Sequence, residues 1–253
     1  MSPRDRHVVV TGASSGIGRE IALHLGRQGA RVSCLARRAE LLDSLVATLP
    51  GSVALPCDVA DRDAVDAAFE RAAHLHGPVH AMVAAAGIGG PNKAGAGDRF
   101  DEIVATNVTG TYNCLRAAEA HLAPGPEPRH LVVIASILGR FGVPGYTGYC
   151  ASKAALLGMV KAFAMELAGQ GALVNAICPG WVDTAMAWEG IEGMARGMKV
   201  TREEAYRRAM SQVPLGRMGT PAEVAGVVSW LMSESAAGVT GQGIDVNGGA
   251  WMG

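Results

Sequence analysis

Short apolar runs alternate along this chain with longer segments of helical periodicity, and this alternation constrains the fold more than any other feature of the sequence. Several runs, such as "HVVV" and "HLVVIA", are apolar almost throughout, as in parallel strands that are covered by helices on both faces. The sequence therefore predicts an α/β fold, a doubly wound sandwich with about seven parallel strands. We expect these strands at 7–10, 31–36, 52–57, 79–84, 130–135, 172–178 and 243–246.

The length of the chain, 253 residues, suits one large hydrophobic core, and neither internal repeats nor low-complexity tracts are evident. We therefore expect a single domain over residues 1–253. One irregular segment, 183–219, is rich in methionine and charge. We expect this segment, called the lid below, to fold as helices over the site, inserted before the last helix.

Charge and cysteine content exclude several classes of protein. A formal net charge of -1 provides no basic field for nucleic acid or an anionic membrane. The five cysteines are scattered without a C-x-x-C pair, and His74 and His76 have no ligand cluster around them, so neither a disulfide framework nor a metal site is expected. Every apolar run is too short for a signal sequence or a bilayer span. We expect a cytoplasmic protein that binds neither nucleic acid nor membranes.

The stretch "TGASSGIG", residues 11–18, joins the first strand to the first helical segment. Its glycines allow a sharp turn and a close approach to a pyrophosphate, and the helix N-terminus presents free N–H groups to that anion. This context predicts a dinucleotide-binding turn of the Rossmann type, although the spacing G-x-x-x-G-x-G differs from the commoner G-x-G-x-x-G. The candidate contacts are Gly12, Ser14, Ser15, Gly16, Ile17 and Gly18.

The end of the second strand indicates which dinucleotide is bound. NAD-binding folds place an acidic residue there, whereas an arginine accommodates the 2′-phosphate of NADP. This chain has Ala36 at that position, followed by Arg37 and Arg38. We predict NADPH over NADH; the alternative is that both arginines belong to a solvated helix start. Asp58, after the third strand, is a candidate acceptor for the adenine amino group or an ordinary helix N-cap.

The stretch "GYTGYCASK", residues 145–153, places Lys153 one helical turn after Tyr149. A phenol titrates near pH 10, and a nearby cation lowers that pKa, which makes Tyr149 a candidate general acid or base. Ser136 follows the fifth strand at the carboxyl edge of the sheet, where ligands of such folds bind. Its hydroxyl is placed to hold a carbonyl oxygen while Tyr149 protonates it.

These pieces, taken in order, resemble the short-chain dehydrogenase/reductase family across essentially the whole chain. The matching segments are "TGASSGIG", Asp58-Val59, Asn107 in "ATNVTG", Ser136 in "VVIAS", "YCASK", "NAICPG", Thr184 and "IDVNGG". One segment departs from the pattern, because "AAAG" (84–87) stands where the family has Asn-Asn-Ala-Gly. The missing asparagine predicts weaker anchoring of this loop, while the small side chains still admit a cofactor.

The resemblance implies a role for each residue. Tyr149 would be the acid/base, Ser136 would polarise the substrate oxygen, and Lys153 would bind the nicotinamide ribose while lowering the Tyr149 pKa. Asn107 would anchor a water that relays protons from Lys153 to solvent. Thr184 would bond the nicotinamide carboxamide. Beyond the glycine-rich turn and the arginines, the implied cofactor contacts are Asp58, Val59, Ala85, Ala86, Gly87, Tyr149, Lys153, Pro179, Gly180, Val182 and Thr184.

The lid carries the information on substrate. Its apolar residues suggest a bulky hydrophobic ketone, or they are ordinary packing between lid and core. Its segment 201–225 is similar to that of bacterial β-ketoacyl and polyketide ketoreductases, which implies a ketoacyl thioester or a polyketide-like ketone. The apolar residues are Met186, Trp188, Ile191, Met194 and Met198. The basic residues, which either meet an acidic carrier protein or coenzyme A or solvate a helix face, are Arg196, Lys199, Arg202, Arg207 and Arg208.

Two other functions stay open at this point. The first is an NAD-linked secondary alcohol dehydrogenase that works oxidatively, and the second is a non-catalytic nucleotide sensor on the same fold. The resemblance also implies a homotetramer, and the apolar C-terminal "GGAWMG" suggests burial between subunits.

Overall fold

The computed structural model describes residues 5–92 and 95–253. Within these ranges a parallel seven-stranded sheet has the order β3-β2-β1-β4-β5-β6-β7. Its strands are β1 (His7–Thr11), β2 (Arg31–Ala36), β3 (Val53–Pro56), β4 (Ala81–Ala84), β5 (Arg129–Ile134), β6 (Ala172–Pro179) and β7 (Gly243–Val246). This topology confirms the doubly wound α/β prediction, and the expected strand boundaries differ from the observed ones by at most two residues.

Helices cover both faces of the sheet. They are α1 (Gly16–Arg27), α2 (Ala39–Val46), α3 (Arg62–His76), α4 (Phe100–Val104), α5 (Gly110–Ala120), α6 (Thr147–Leu167), α7 (Ala185–Met198), α8 (Arg202–Met210) and α9 (Pro221–Leu231). Val9 of β1 packs with the core under α3, α5 and α6, whereas Val8 and Val10 pack with the core under α1, α2 and α9. Both sides of the strand are therefore buried, which explains its unbroken apolar run. No helix in the described ranges is long and apolar enough to cross a bilayer.

The sheet order reverses between β1 and β4, because β1 has β2 on one side and β4 on the other. In open α/β sheets such a switch point opens a crevice at the carboxyl ends of the strands, where ligands bind. The crevice here is bordered by Thr11 at the end of β1 and Ala84 at the end of β4.

The lid folds as α7 and α8, as the sequence predicts, and has a hydrophobic core of its own. Its two ends are joined by a backbone ladder in which the Gly219 N–H donates to Trp181 O at 2.8 Å and the Asp183 N–H donates to Gly219 O at 2.8 Å. Thr220 then begins α9 with a capping box that includes Glu223. The lid is thus an insertion whose two ends are paired, and it also contacts the C-terminal segment, where the Leu215 N–H donates to Gly248 O at 3.1 Å.

The predicted apolar side of the lid is only partly correct. The buried stripe of α7 is Ala187, Ile191 and Ala195, because residues four apart face α8. Met186 is 46% exposed and Met198 is 39% exposed, so neither belongs to the lid core. Trp188 and Met194 are partly buried against that core.

Candidate active site

The glycine-rich turn forms a tight cradle at the switch point. Gly12 has a φ of +68°, and a Cβ on it would lie 2.7 Å from the Ala86 nitrogen. A Cβ on Gly18 would lie 2.5 Å from the Gly12 oxygen. Both positions exclude any side chain, so the turn presents bare backbone beside the N-terminus of α1.

Thr11 anchors the "AAAG" loop to this turn. Its buried hydroxyl oxygen accepts hydrogen bonds from the N–H groups of Ala85 and Ala86, both at 3.1 Å. A side chain on β1 therefore holds the start of the loop in a chain that lacks the asparagine of the family pattern. Sequence reasoning missed this role of Thr11; the available signal was a hydroxyl residue at the end of the strand that pairs with β4.

Arg38 reaches back over the glycine-rich turn. Its guanidinium donates to Ser14 Oγ at 2.8 Å and to Ser15 Oγ at 2.7 Å. This group of one guanidinium and two hydroxyls is called the arginine–serine cluster below. Arg37 is exposed and contributes to lowering the pKa of Glu102, whose main cause is the hydrogen bond from Arg99. The two arginines thus point to different surroundings, and Arg38 is the one on the turn.

Asp58 and Val59 follow β3 at the same edge of the sheet. Asp58 Oδ1 accepts from the Ala60 N–H at 3.0 Å, and the N-cap of α3 is Asp61, which accepts from Ala64 at 3.1 Å. Asp58 is therefore not the cap of α3. Val59 is buried against Gly110, where a Cβ would lie 2.6 Å from Val59 Cγ2.

The first turn of α6 brings Tyr149 to Ser136. Ser136, buried where β5 ends, lies close enough to the Tyr149 phenol to lower its pKa. Lys153 lies one turn later, with Nζ 5.7 Å from the centroid of the Tyr149 ring. Its ammonium donates to Ile134 O at 2.8 Å. The structure thus brings these three side chains together beside the crevice.

The pKa values of this group differ from the expectation. Burial raises the pKa of Tyr149, and the hydrogen bond with Ser136 offsets part of this shift. Burial lowers the pKa of Lys153 to about 8. The predicted lowering of the Tyr149 pKa by Lys153 is therefore wrong in this structure. Desolvation of the phenol dominates, and the ammonium hydrogen-bonds to the Ile134 carbonyl.

Asn107 lies in a short π-helical segment, Ala105–Thr109, and is completely buried. Its side chain accepts from the Ile88 N–H at 2.9 Å and donates to Ile88 O at 2.9 Å and Ser152 Oγ at 3.0 Å. A Cβ on Gly87 would lie 3.2 Å from Asn107 Oδ1 and 3.6 Å from Lys153 Nζ. The side chains of Asn107 and Lys153 therefore both lie beside Gly87, and π-helical insertions often mark functional sites.

The segment after β6 borders the crevice from the other side. Gly180 packs on the backbone of Asn247, because a Cβ there would lie 3.0 Å from Asn247 Cα. Val182 is buried in the core, and Thr184 caps α7 by accepting from Ala187 at 3.4 Å. A Cβ on Gly16 would lie 3.5 Å from Thr184 Cγ2. The predicted residues Pro179, Gly180, Val182 and Thr184 thus run from the end of β6 toward the glycine-rich turn.

Comparison with known proteins gives consistent matches over nearly the full length. A family model described as enoyl-(acyl carrier protein) reductase matches residues 12–250. A Streptomyces coelicolor relative, provisionally named a ketoacyl reductase, is 38% identical and covers 98% of both chains. The Mycobacterium tuberculosis 3-oxoacyl-(acyl-carrier-protein) reductase MabA is 33% identical over 98% of this chain and 94% of its own. A crystal structure of an actinorhodin polyketide ketoreductase variant with NADPH is 36% identical, with TM-score 0.90 and 97% of each chain covered.

The chain belongs to the short-chain dehydrogenase/reductase family. This confirms the resemblance that the sequence motifs indicated, and it makes the protein an oxidoreductase.

The short-chain dehydrogenase/reductase site includes a contact between the lid and the loop after β4 that the motifs did not indicate. A Cβ on Gly89 would lie 3.2 Å from Met186 Sδ and 3.6 Å from Tyr149 Cε2. The first turn of α7 therefore brings a flexible thioether next to the Tyr149 ring, across a residue without a side chain. Sequence reasoning included Met186 in an apolar lid face but missed its pairing with Gly89.

Proposed function

We propose that this protein is an NADPH-dependent ketoreductase that reduces a ketone on a hydrophobic substrate to a secondary alcohol. The observation that carries the proposal is the placement of Ser136 and Lys153 beside Tyr149: Ser136 lowers the pKa of the phenol, and Lys153 Nζ lies 5.7 Å from the centroid of its ring. These groups border the crevice that begins at the glycine-rich turn. Relatives named as ketoacyl, 3-oxoacyl and polyketide reductases support the same reaction.

The residues at the turn fit NADPH. The bare backbone at Gly12 and the N-terminus of α1 suit its pyrophosphate. The arginine–serine cluster offers a cation and two hydroxyls to a 2′-phosphate, and Ala36 leaves no carboxylate to repel it. A related structure contains NADPH. Asp58 and Val59 would border the adenine, and Ala85, Ala86, Gly87, Pro179, Gly180, Val182 and Thr184 would border the rest of the cofactor.

When bound, NADPH supplies the hydride to the carbonyl carbon. Ser136 holds the carbonyl oxygen by a hydrogen bond, and Tyr149 donates its phenolic proton to that oxygen as the alcohol forms. Lys153, whose ammonium lies near the Tyr149 ring, then passes a proton back to the phenolate. A water held near Asn107 then connects Lys153 with solvent.

The raised pKa of Tyr149 favours reduction over alcohol oxidation. At neutral pH such a phenol is protonated, which is the form that an acid needs in order to donate to a ketone oxygen. An NAD-linked dehydrogenase would need the phenolate as its base, and it would gain nothing from Arg38 at the turn. A nucleotide sensor would need neither the Ser136–Tyr149 pair nor the buried Lys153.

The proposed substrate is a β-ketoacyl thioester or a polyketide-like ketone. Met186 gives the entrance an apolar and adaptable side chain next to Tyr149. The basic residues of the lid give little support to a carrier protein. Arg207 and Arg208 pair with Glu204, and Arg202 lies over the Trp188 ring at 4.3 Å. These three arginines have partners within the lid, which agrees better with the alternative of a solvated helix face than with a surface for a carrier protein.

A homotetramer remains part of the proposal. Leu215 is 67% exposed and Met252 is 76% exposed, and Trp251 stacks on Phe141 with ring centroids 5.7 Å apart. Large apolar side chains on the surface suit a contact between subunits. Light scattering on the purified protein tests the assembly, and a monomeric mass would contradict it.

The proposed reaction is tested by following NADPH oxidation with a panel of ketones that includes a β-ketoacyl thioester and a bicyclic ketone. Tyr149→Phe should abolish turnover. Tyr112→Phe provides a matched control and should keep the activity, because Tyr112 is an exposed residue of α5 that packs on Phe163. NADPH binding without turnover on any ketone would contradict the proposal. Activity with NAD and secondary alcohols alone would favour the dehydrogenase.

A further inference from the structure

We propose that Asn92 is a positioning residue that fixes the first turn of α6, and thereby Tyr149, against the loop after β4. This inference rests on the proposed function, because it concerns the placement of the proposed acid. Asn92 does not belong to the predicted tetrad or to the predicted cofactor contacts.

The first turn of α6 needs an acceptor that its own N-cap does not supply. The first N–H groups of any helix have no partner within the helix, and an N-cap side chain normally accepts from one of them. Tyr146 is the N-cap of α6 and makes no side-chain capping hydrogen bond. Asn92 Oδ1 instead accepts from the Gly148 N–H at 2.7 Å, although Asn92 lies 56 positions earlier in the chain.

Asn92 is itself held firmly in place. Its backbone N–H donates to Gly145 O at 2.6 Å, and its side-chain amide donates to Asp98 Oδ1 at 2.8 Å. The same Asp98 oxygen accepts from the Phe100 N–H at 3.1 Å. The Asn92 amide nitrogen thus donates to Asp98 while its oxygen accepts from Gly148, and these two bonds fix the orientation of the amide.

The fit between Asn92 and α6 depends on a glycine. A Cβ on Gly148 would lie 3.0 Å from both Asn92 Oδ1 and Asn92 Nδ2, and 3.3 Å from Phe100 Cδ2. Gly148 is buried, and it immediately precedes Tyr149. The approach that brings the Asn92 amide to the helix is therefore possible because residue 148 has no side chain.

This contact completes a link between the two halves of the site. Asn107 binds Ile88 at the start of the loop, and it also donates to Ser152, whose hydroxyl donates to Tyr149 O at 2.8 Å. Asn92, farther along the same loop, binds the first turn of α6 directly. Contacts through Asn107 and Asn92 thus hold α6 on both sides of Tyr149, and loss of the Asn92 contact frees the side that precedes Tyr149.

The test compares kcat and NADPH affinity in purified variants that retain the wild-type circular dichroism spectrum. Asn92→Ala should lower kcat for ketone reduction roughly 10- to 100-fold, because small misplacements of a catalytic group have effects of this size. The Kd for NADPH should stay within about twofold, since the glycine-rich turn is untouched. Gly148→Ala tests the same contact from the helix side and should lower kcat similarly.

The rescue variant exchanges the partners. Asn92→Asp alone keeps an acceptor for Gly148 but faces the Asp98 carboxylate, so it should lower kcat. Asn92→Asp combined with Asp98→Asn restores a donor–acceptor pair between the two side chains and should return kcat to within about threefold of the wild-type value.

Asn175→Ala is the matched control. Asn175 also links backbone segments, because its side chain donates to Val239 O at 2.7 Å and accepts from the Gln242 N–H at 3.0 Å. It differs from Asn92 in place, since it lies on β6 and binds the segment before β7. It should lower the thermal unfolding midpoint without changing kcat. The proposal is overturned if both Asn92→Ala and Gly148→Ala keep the wild-type kcat, or if the folded exchange variant does not recover it. An inactive wild-type protein would instead contradict the proposed function.

Discussion

Lys153 Nζ donates a hydrogen bond to the backbone oxygen of Ile134 at 2.8 Å and lies 5.7 Å from the centroid of the Tyr149 ring. Burial costs the ammonium its hydration and lowers the pKa of Lys153 to about 8, while the carbonyl keeps the side chain pointed at the site. The charge that supports the proposed proton transfer is therefore lost just above neutral pH.

This relationship predicts the pH dependence of the reaction. The ratio kcat/KM for ketone reduction should fall above about pH 8, because the free enzyme then loses the Lys153 charge. In Lys153→Arg the guanidinium stays charged, so whatever activity remains should show no fall near pH 8. Steady-state kinetics between pH 6 and pH 10 measure both profiles. A fall at the same pH in the arginine variant would assign the titration to another group.

The arginine–serine cluster predicts the choice of cofactor. Arg38→Gln removes a cation that the 2′-phosphate would contact, so KM for NADPH should rise roughly 10- to 100-fold while KM for NADH changes little. Arg62→Gln, on an exposed arginine of α3, is the matched control. Equal changes in KM for NADPH and for NADH in Arg38→Gln would show that the cluster does not bind the 2′-phosphate.

Thr11 predicts a stability effect at the crevice. Thr11→Val keeps the shape of the side chain but leaves the N–H groups of Ala85 and Ala86 without their acceptor, at a cost of about 1–3 kcal/mol for each. Denaturant unfolding should show this loss, and Kd for NADPH should rise. Thr11→Ser, which keeps the hydroxyl, should retain most of the stability. Equal stability of the valine and serine variants would remove the anchoring role.

Met186 predicts substrate size. Met186→Ala opens space between Gly89 and the Tyr149 ring, so kcat/KM for a bulky bicyclic ketone should rise several-fold relative to that for a small ketone. Met198→Ala, which truncates an exposed methionine at the other end of α7, should leave this ratio unchanged. If the ratio of kcat/KM for the bulky ketone to that for the small ketone were the same in both variants, Met186 would not limit substrate size.

Buried histidines near the amino-terminal ends of the strands, opposite the crevice, predict that acid lowers the stability of the protein. Burial lowers the pKa of His7 and of His130 from 6.5 to about 4, and it also lowers the pKa of His76 and of His80. The His7 ring contacts Gly77 O and Ser33 Oγ, and the His76 ring packs edge-on against it. The charged residues that bear on these rings are Arg6, Arg31 and Glu127.

The direction in which stability changes with pH follows from proton uptake by the folded and unfolded chains. The unfolded chain binds protons at these histidines as pH falls below about 6.5, whereas the folded chain does so only near pH 4, so stability is complete above pH 6.5 and falls toward pH 4. Each of His7 and His130 should contribute a loss of roughly 2 kcal/mol between pH 7 and pH 5. Thermal unfolding measures the loss. His7→Gln should reduce it, and His74→Gln, on an exposed histidine of α3, should not.

The strands, their parallel arrangement and the order of the motifs were predictable because they depend on local pattern. Val8, Val9 and Val10 are apolar on both sides of a strand, and Lys153 follows Tyr149 by one helical turn. The direction of the Tyr149 pKa shift was not predictable, because it depends on how deeply the folded chain buries the phenol. The roles of Thr11 and Asn92 were equally inaccessible, since each bonds backbone groups more than fifty positions away.

The paired ends of the lid have a further consequence for how substrate preference can vary within this fold. Because α7 and α8 bury their apolar residues against each other, and Trp181, Asp183 and Gly219 join the ends of the lid, we expect exchange of this segment to alter substrate preference. Such an exchange would have to keep Thr184 and the hydrogen bond from the Leu215 N–H to Gly248 O, whereas Asn107, Ser136, Tyr149 and Lys153 lie outside the exchanged segment.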